Sequence, residues 1–146
     1  MSMIVVGVDG SDDSKEALRW ALAEAELRRA TVRAVHAWSM PIAFGGPYMP
    51  PQAYDPAEIR DNAQASLDAA VDEVAGENPP VAVERVVEQG SPADVLVRAS
   101  EFADLLVVGS RGHGGFTGLL LGSVSQQCAQ HAPCALVIVR RPAAGE

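Results

Sequence analysis

Ile4-Val5-Val6-Gly7-Val8-Asp9-Gly10-Ser11-Asp12-Asp13 decides the fold. Ile4 to Val8 is a continuous, β-branched apolar run, the pattern of a strand buried on both faces. Helix-start residues follow at once, and Asp13 and Glu16 have the spacing of a capping box. Leu18, Ala21, Leu22 and Ala25 then recur at helical spacing, so residues 12–29 are expected to form an amphipathic helix. A doubly buried strand that feeds directly into a helix is the opening of a parallel α/β sheet.

The same alternation runs through the chain. Thr31 to Ala37 contains the second strand, with His36 inside it. Ser39 to Asp55 interrupts the pattern with four prolines and two glycines, which neither a ladder nor a helix accommodates. Its Met40, Phe44, Tyr48, Met49 and Tyr54 are unusually apolar for a loop. Asp55-Pro56-Ala57-Glu58 restarts order as an N-cap, a proline at N1 and an acid at N3. Ile59, Ala63, Leu67, Ala70, Val71 and Val74 mark one face of a long helix ending near Gly76. Val81 to Val87 is expected as the third strand, with Glu84 and Arg85 interrupting it. Ser91-Pro92-Ala93-Asp94 opens a helix to about Phe102, and Leu105 to Val108 is an uninterrupted buried strand. A glycine-rich loop follows, then a helix from Ser123 to about His131 and a last strand from Ala135 to Val139.

Five strands joined by helices, with right-handed crossovers, make one doubly wound parallel sheet with helices on both faces. The expected domain spans residues 1–146, with a Pro-rich variable loop at 39–55. Its 146 residues, 48% hydrophobic, suffice for one core. Eleven basic against nineteen acidic residues give a net charge of −8, which disfavours nucleic acid and anionic membrane surfaces as partners. No apolar run approaches the roughly 18 residues of a membrane span. The first nine residues lack the basic region of a signal peptide. Cys128 and Cys134 are too few for a disulfide framework and are expected as buried thiols. These features together predict a cytoplasmic protein.

Open α/β sheets bind ligands beyond the carboxyl ends of their strands, where the winding reverses. With the first strand central, that crevice lies between Gly7-Val8-Asp9-Gly10-Ser11 and Val108-Gly109-Ser110-Arg111-Gly112. The second of these continues into glycines 114, 115, 118 and 122. Such glycines allow positive φ and close backbone approach, and their amides can form an anion-binding concavity. The loop feeds a helix N-terminus at Gly122-Ser123, where free N–H groups favour phosphate. Ser123 and Ser125 add hydroxyls, and Arg111 adds a cation. Neither GxGxxG nor GxxxxGK[ST] is present, and Lys15 is the only lysine. A dinucleotide dehydrogenase and a P-loop NTPase are thereby excluded.

Gly109-x2-Gly112-x9-Gly122-Ser123 matches the G-x2-G-x9-G-[S/T] pattern, and the chain resembles the ATP-binding universal stress proteins. The opening strand with Asp9, Gly90-Ser91-Pro92, Ala103 to Gly112 and Ala132-Pro133-Cys134-Ala135-Leu136-Val137-Ile138-Val139 carry the rest of the resemblance. It spans everything but residues 39–55. It implies strand order 3-2-1-4-5 and the adenine nucleotide alpha hydrolase-like architecture. It also implies an ATP site to which Gly7 and Val8 give the floor, Asp9 a bond to ribose or adenine, and Ala37 backbone contacts to adenine. Val108, Gly109, Arg111 and Gly112 would flank ribose and phosphates. Gly122, Ser123 and Val124 would hold the phosphate chain, with Mg2+ bridging its oxygens.

Dimerisation through strand 135–139 is implied as well, as is a regulatory role in stress response through an unidentified protein partner. Two alternatives stand beside that role, a slow ATP hydrolase and a cyclic AMP-binding variant. No catalytic residue is assigned. His113 beside the phosphates has no orienting partner in the sequence. His36 is expected to be structural, and His131 to face a helix dipole. Asp9 has a second reading, an Asx turn that starts the first helix.

Overall fold

The structure, a computed structural model, describes residues 2–40, 55–110 and 121–141. Along the chain run β1 (Met3–Gly7), α1 (Asp12–Arg28), β2 (Thr31–Trp38), α2 (Pro56–Ala75), β3 (Val83–Gln89), α3 (Pro92–Ala99), β4 (Leu105–Gly109), α4 (Ser123–His131) and β5 (Ala135–Val139). The five strands form one parallel sheet in the order β3-β2-β1-β4-β5, with β1 at its centre. This is the order and the α/β class expected above.

Strand residues point alternately to two cores. Ile4, Val6, Val32, Ala34, Leu105 and Val107 face α1 and α2, where Leu18, Leu22, Leu67 and Val71 meet them. Val5, Val35, Leu106 and Val108 face α3 and α4, against Val95, Leu96 and Cys128. Val5 and Leu106 have no exposed surface. This explains the unbroken apolar runs, since a strand covered on both sides has no polar face to show.

Several boundaries differ from the sequence expectation. α1 starts at Asp12 as expected, but its cap is Ser11, whose hydroxyl accepts the Ser14 N–H at 3.2 Å, so Asp13 is not the cap of a capping box with Glu16. β3 begins at Val83 and runs to Gln89, because its register is set by β2, from Val32 opposite Val83 to Trp38 opposite Gln89. Glu84 and Arg85 do not weaken it. Glu84 pairs with Arg33 on β2, and Arg85 reaches Asp68 and Asp72 on α2 at 3.0 and 2.7 Å. Bonds to the two aspartates raise the Arg85 pKa. The third helix ends at Ala99, where the Ser100 hydroxyl turns back onto the Val97 carbonyl. Phe102 consequently lies past the helix and is 95% exposed.

Cys128 is buried, which pushes its thiol up to about 11, whereas Cys134 is only half-buried. Among the described residues, no helix is long and apolar enough to cross a membrane.

The α1 cap offers a simple test. Ser11→Ala removes the acceptor for the Ser14 N–H and is expected to cost about 1 kcal/mol, read as a lower urea midpoint at unchanged slope. An unchanged midpoint would show that another group caps the helix.

Candidate functional site

At the carboxyl ends of β1, β2 and β4 lies a cleft of about 80 Å3. It occupies the point where the winding reverses, since β2 and β3 lie to one side of β1 and β4 and β5 to the other. Gly7, Val8 and Asp9 come from β1 and the turn after it, Val35, His36 and Ala37 from β2, and Val108 and Gly109 from β4. Pro92 and Leu96 of α3, Val124 of α4 and Ser14 of α1 complete the lining. The walls are apolar, with Asp9, Ser14 and His36 as the polar side chains. Pockets for whole drug-sized ligands are larger, roughly 300–1,000 Å3. At its size the cleft has room for about one ring-sized group.

The turn after β1 is held by its own side chains. Asp9 Oδ1 accepts the Ser11 N–H at 2.9 Å and the Ser11 hydroxyl at 2.5 Å, which is an Asx turn. The Ser14 hydroxyl accepts the Asp9 N–H at 3.2 Å and donates to the Ser11 carbonyl at 2.9 Å. Gly10 has φ +85°, the left-handed conformation that lets the chain reverse into α1. The second reading of Asp9 is thus realised.

β4 and α4 form the opposite wall. Gly122 is the N-cap of α4, with φ −68° and ψ 165°, and as a glycine it brings no side chain to cap the helix. Its N–H donates to the Ser110 carbonyl at 2.7 Å, which draws the helix start to the end of β4. Neither Gly109 nor Gly122 uses the positive φ that glycine allows. Gly122 is extended, and Gly109 is needed for close approach, because a Cβ there would lie 2.8 Å from the Asp13 carbonyl oxygen. The Ser125 hydroxyl is not available to a ligand either. It is buried and donates toward the carbonyls of Ser110 and Gly122 at 3.1 and 3.0 Å. Ser123 is exposed at the helix start.

Of the residues singled out from sequence, Gly7, Val8, Asp9, Ala37, Val108, Gly109 and Val124 line the one cleft, and Gly122 and Ser123 open the helix carrying Val124. Arg111, Gly112, His113 and glycines 114, 115 and 118 lie outside the described residues, as do 41–54 of the Pro-rich segment. His36 had been assigned a structural place, yet it lines the cleft while its Nδ1 bonds the Val8 carbonyl at 2.7 Å. Its place at the carboxyl end of a strand was the available signal. Arg141 was missed altogether. From beyond β5 it reaches the first turn of α1, pairing with Asp12 at 3.1 Å and Asp13 at 3.0 Å.

The sequence model described as the universal stress protein family matches residues 1–140. A universal stress protein of Mycolicibacterium smegmatis is 38% identical over 137 residues, covering 94% of this chain and 45% of the relative. The universal stress protein Rv2623 of Mycobacterium tuberculosis is 38% identical over 137 residues, with 94% and 44% covered. The chain thus spans about half the length of the curated relatives it matches. Among solved structures, the universal stress protein UspA from Lactobacillus plantarum superposes with a TM-score of 0.75 at 25% identity, covering 95% of this chain and 97% of the other. A universal stress protein in complex with cAMP gives 0.70 at 28% identity, with 94% and 96% covered.

Proposed function

This chain belongs to the universal stress protein family, and we propose that it binds ATP at the cleft and acts as a nucleotide-dependent regulatory module with little or no turnover. The observation that carries the reading is the apolar cleft opening beside the N-terminus of α4, whose N-cap is a glycine. A flat apolar base suits walls made of Val8, Val35, Leu96 and Val108. Phosphates suit the free amides and positive dipole end of a helix. The G-x2-G-x9-G-S spacing connects the two halves.

Binding rather than turnover is supported by how the polar side chains are used. Asp9 Oδ1 and the Ser14 hydroxyl hold the turn, and His36 Nδ1 holds Val8. Among the described residues, no three His, Cys, Asp or Glu side chains stand together as a metal site. Mg2+ would be held by phosphate oxygens and water, which suit a hard cation. β5 is an edge strand with half-buried Leu136, Val137, Ile138 and Val139, and we assign it the homodimer interface. The other edge, β3, is charged. A protein partner that reads nucleotide occupancy, and residence in the cytoplasm, complete the reading.

Cyclic AMP is the second candidate, because the structural relative at 28% identity is described in complex with it. Calorimetry with MgATP, followed by displacement with cyclic AMP, separates the two. The expected result is MgATP binding near micromolar dissociation constants, about −8 kcal/mol, and weaker binding of cyclic AMP. Tighter binding of cyclic AMP would make the cyclic nucleotide the ligand. Binding of neither would refute an adenine-nucleotide site.

A further inference from the structure

The β1–β2 ladder stops short at the cleft, where one side chain stands in the place of a ladder bond. Registered pairing ends with Gly7 opposite Val35, after which the Val8 N–H still donates to the Val35 carbonyl at 2.9 Å. In a regular parallel ladder, the Val8 carbonyl would next receive the amide of Ala37. Here that carbonyl is bonded instead by His36 Nδ1 at 2.7 Å. A carbonyl can only accept, so Nδ1 carries the hydrogen.

The direction of the Ala37 peptide follows from its neighbours. Val35 turns its carbonyl toward β1, and Trp38 accepts the Gly90 N–H at 2.8 Å on the β3 side. Alternation then turns the N–H and C=O of Ala37 toward β1, where the ladder has ended and the cleft begins.

The geometry points to His36 as a positioning residue that holds the Val8 carbonyl, keeps the Ala37 amide out of the β1–β2 ladder, and leaves its donor and acceptor to read the base. This rests on the reading of the cleft as an adenine-nucleotide site. An N–H beside a C=O matches adenine, which offers a ring-nitrogen acceptor beside the N6 amino donor. Guanine presents an O6 acceptor beside a ring N–H, the reverse order along the same edge. His36 would thus govern base selection without needing to touch the base.

His36→Phe keeps a ring and removes the donor, and His36→Leu removes the donor with a smaller, acyclic side chain. His36→Asn restores an N–H near the place of Nδ1. Without a donor, the Val8 carbonyl is left seeking a partner in a buried position, and the Ala37 amide is the nearest one along the ladder. Hydrogen exchange at the Ala37 amide, followed by NMR in nucleotide-free protein, is expected to slow about tenfold or more in His36→Phe or His36→Leu and to stay fast in the wild type and His36→Asn. In parallel, the preference for MgATP over MgGTP should fall about tenfold in the donor-less variants and return in His36→Asn, with tripolyphosphate affinity unchanged.

Unchanged Ala37 exchange across the series, with ATP binding intact, would overturn the role of His36 and leave the nucleotide site standing. Exchange that follows His36 in a wild type binding neither ATP nor tripolyphosphate would overturn the nucleotide reading, and base selection with it. Equal losses of ATP, GTP and tripolyphosphate affinity would reduce His36 to a structural residue.

Discussion

Gly122→Glu is expected to lower MgATP affinity at least about a hundredfold while leaving the fold as stable as before. Gly122 is the N-cap of α4 with φ −68° and ψ 165°, an extended conformation that any residue adopts. The substitution therefore introduces no backbone strain. A carboxylate near a helix N-terminus is itself favourable, by about 0.3–1 kcal/mol. It occupies the position proposed for the phosphates, and two like charges about 4 Å apart repel by roughly 4 kcal/mol at an effective dielectric near 20. Two-thirds of that is already about a hundredfold in affinity. Gly122→Gln separates charge from bulk, because it has nearly the same size and should lose much less. The measurement is calorimetry on both variants, with urea midpoints alongside. Wild-type affinity in Gly122→Glu would place the phosphates elsewhere, and equal losses in both variants would mean that bulk alone is felt.

The second large effect concerns stability. Gly109→Ala is expected to lose about 2–3 kcal/mol, the upper part of the range for overpacking a well-filled site. A Cβ at Gly109 would stand 2.8 Å from the Asp13 carbonyl oxygen, 2.9 Å from its carbon and 3.0 Å from the Asp13 Cβ. Two of those atoms are backbone, in the first turn of a helix that the Ser11 cap and the Arg141 pair with Asp12 and Asp13 hold in place. β4 cannot yield either, since it is paired on both sides with β1 and β5. Gly7→Ala is the comparison. There the Cβ would meet Leu96 Cδ1 at 2.7 Å, the end of a side chain that can change rotamer. Urea unfolding should show the Gly109 variant losing clearly more than the Gly7 variant. Equal losses would show that α1 shifts as readily as a leucine methyl, and would remove the close approach as the reason for glycine at 109.

The two glycines illustrate what could be read in advance. Their spacing marked both as site residues, and the structure sets one in the cleft wall and the other at the start of α4. Two properties of glycine were read there, freedom for positive φ and close approach; neither residue uses the first, and Gly109 uses the second, against Asp13. Conformational need is a local property of the backbone, but close approach depends on what is packed opposite. The partner of Gly109 is Asp13, far away along the chain. Likewise, the Asx turn at Asp9 was visible as an alternative because its partner Ser11 is two residues on.

By itself the sequence determined the class of fold, the strand order through its resemblance, and the location of the cleft. Doubly buried strands and capped helices are written in short-range periodicity, and the switch point follows from the order of elements. The choice of Ser11 over Asp13 as the cap of α1, the register of β3, the commitment of Ser125, the tie from Arg141 to α1 and the bond from His36 to Val8 were decided only in the structure. Most of these depend on residues brought together from different elements, and the sheet makes that choice through register and packing. The others turn on competition between neighbouring polar groups for the same backbone partners, which spacing alone does not resolve.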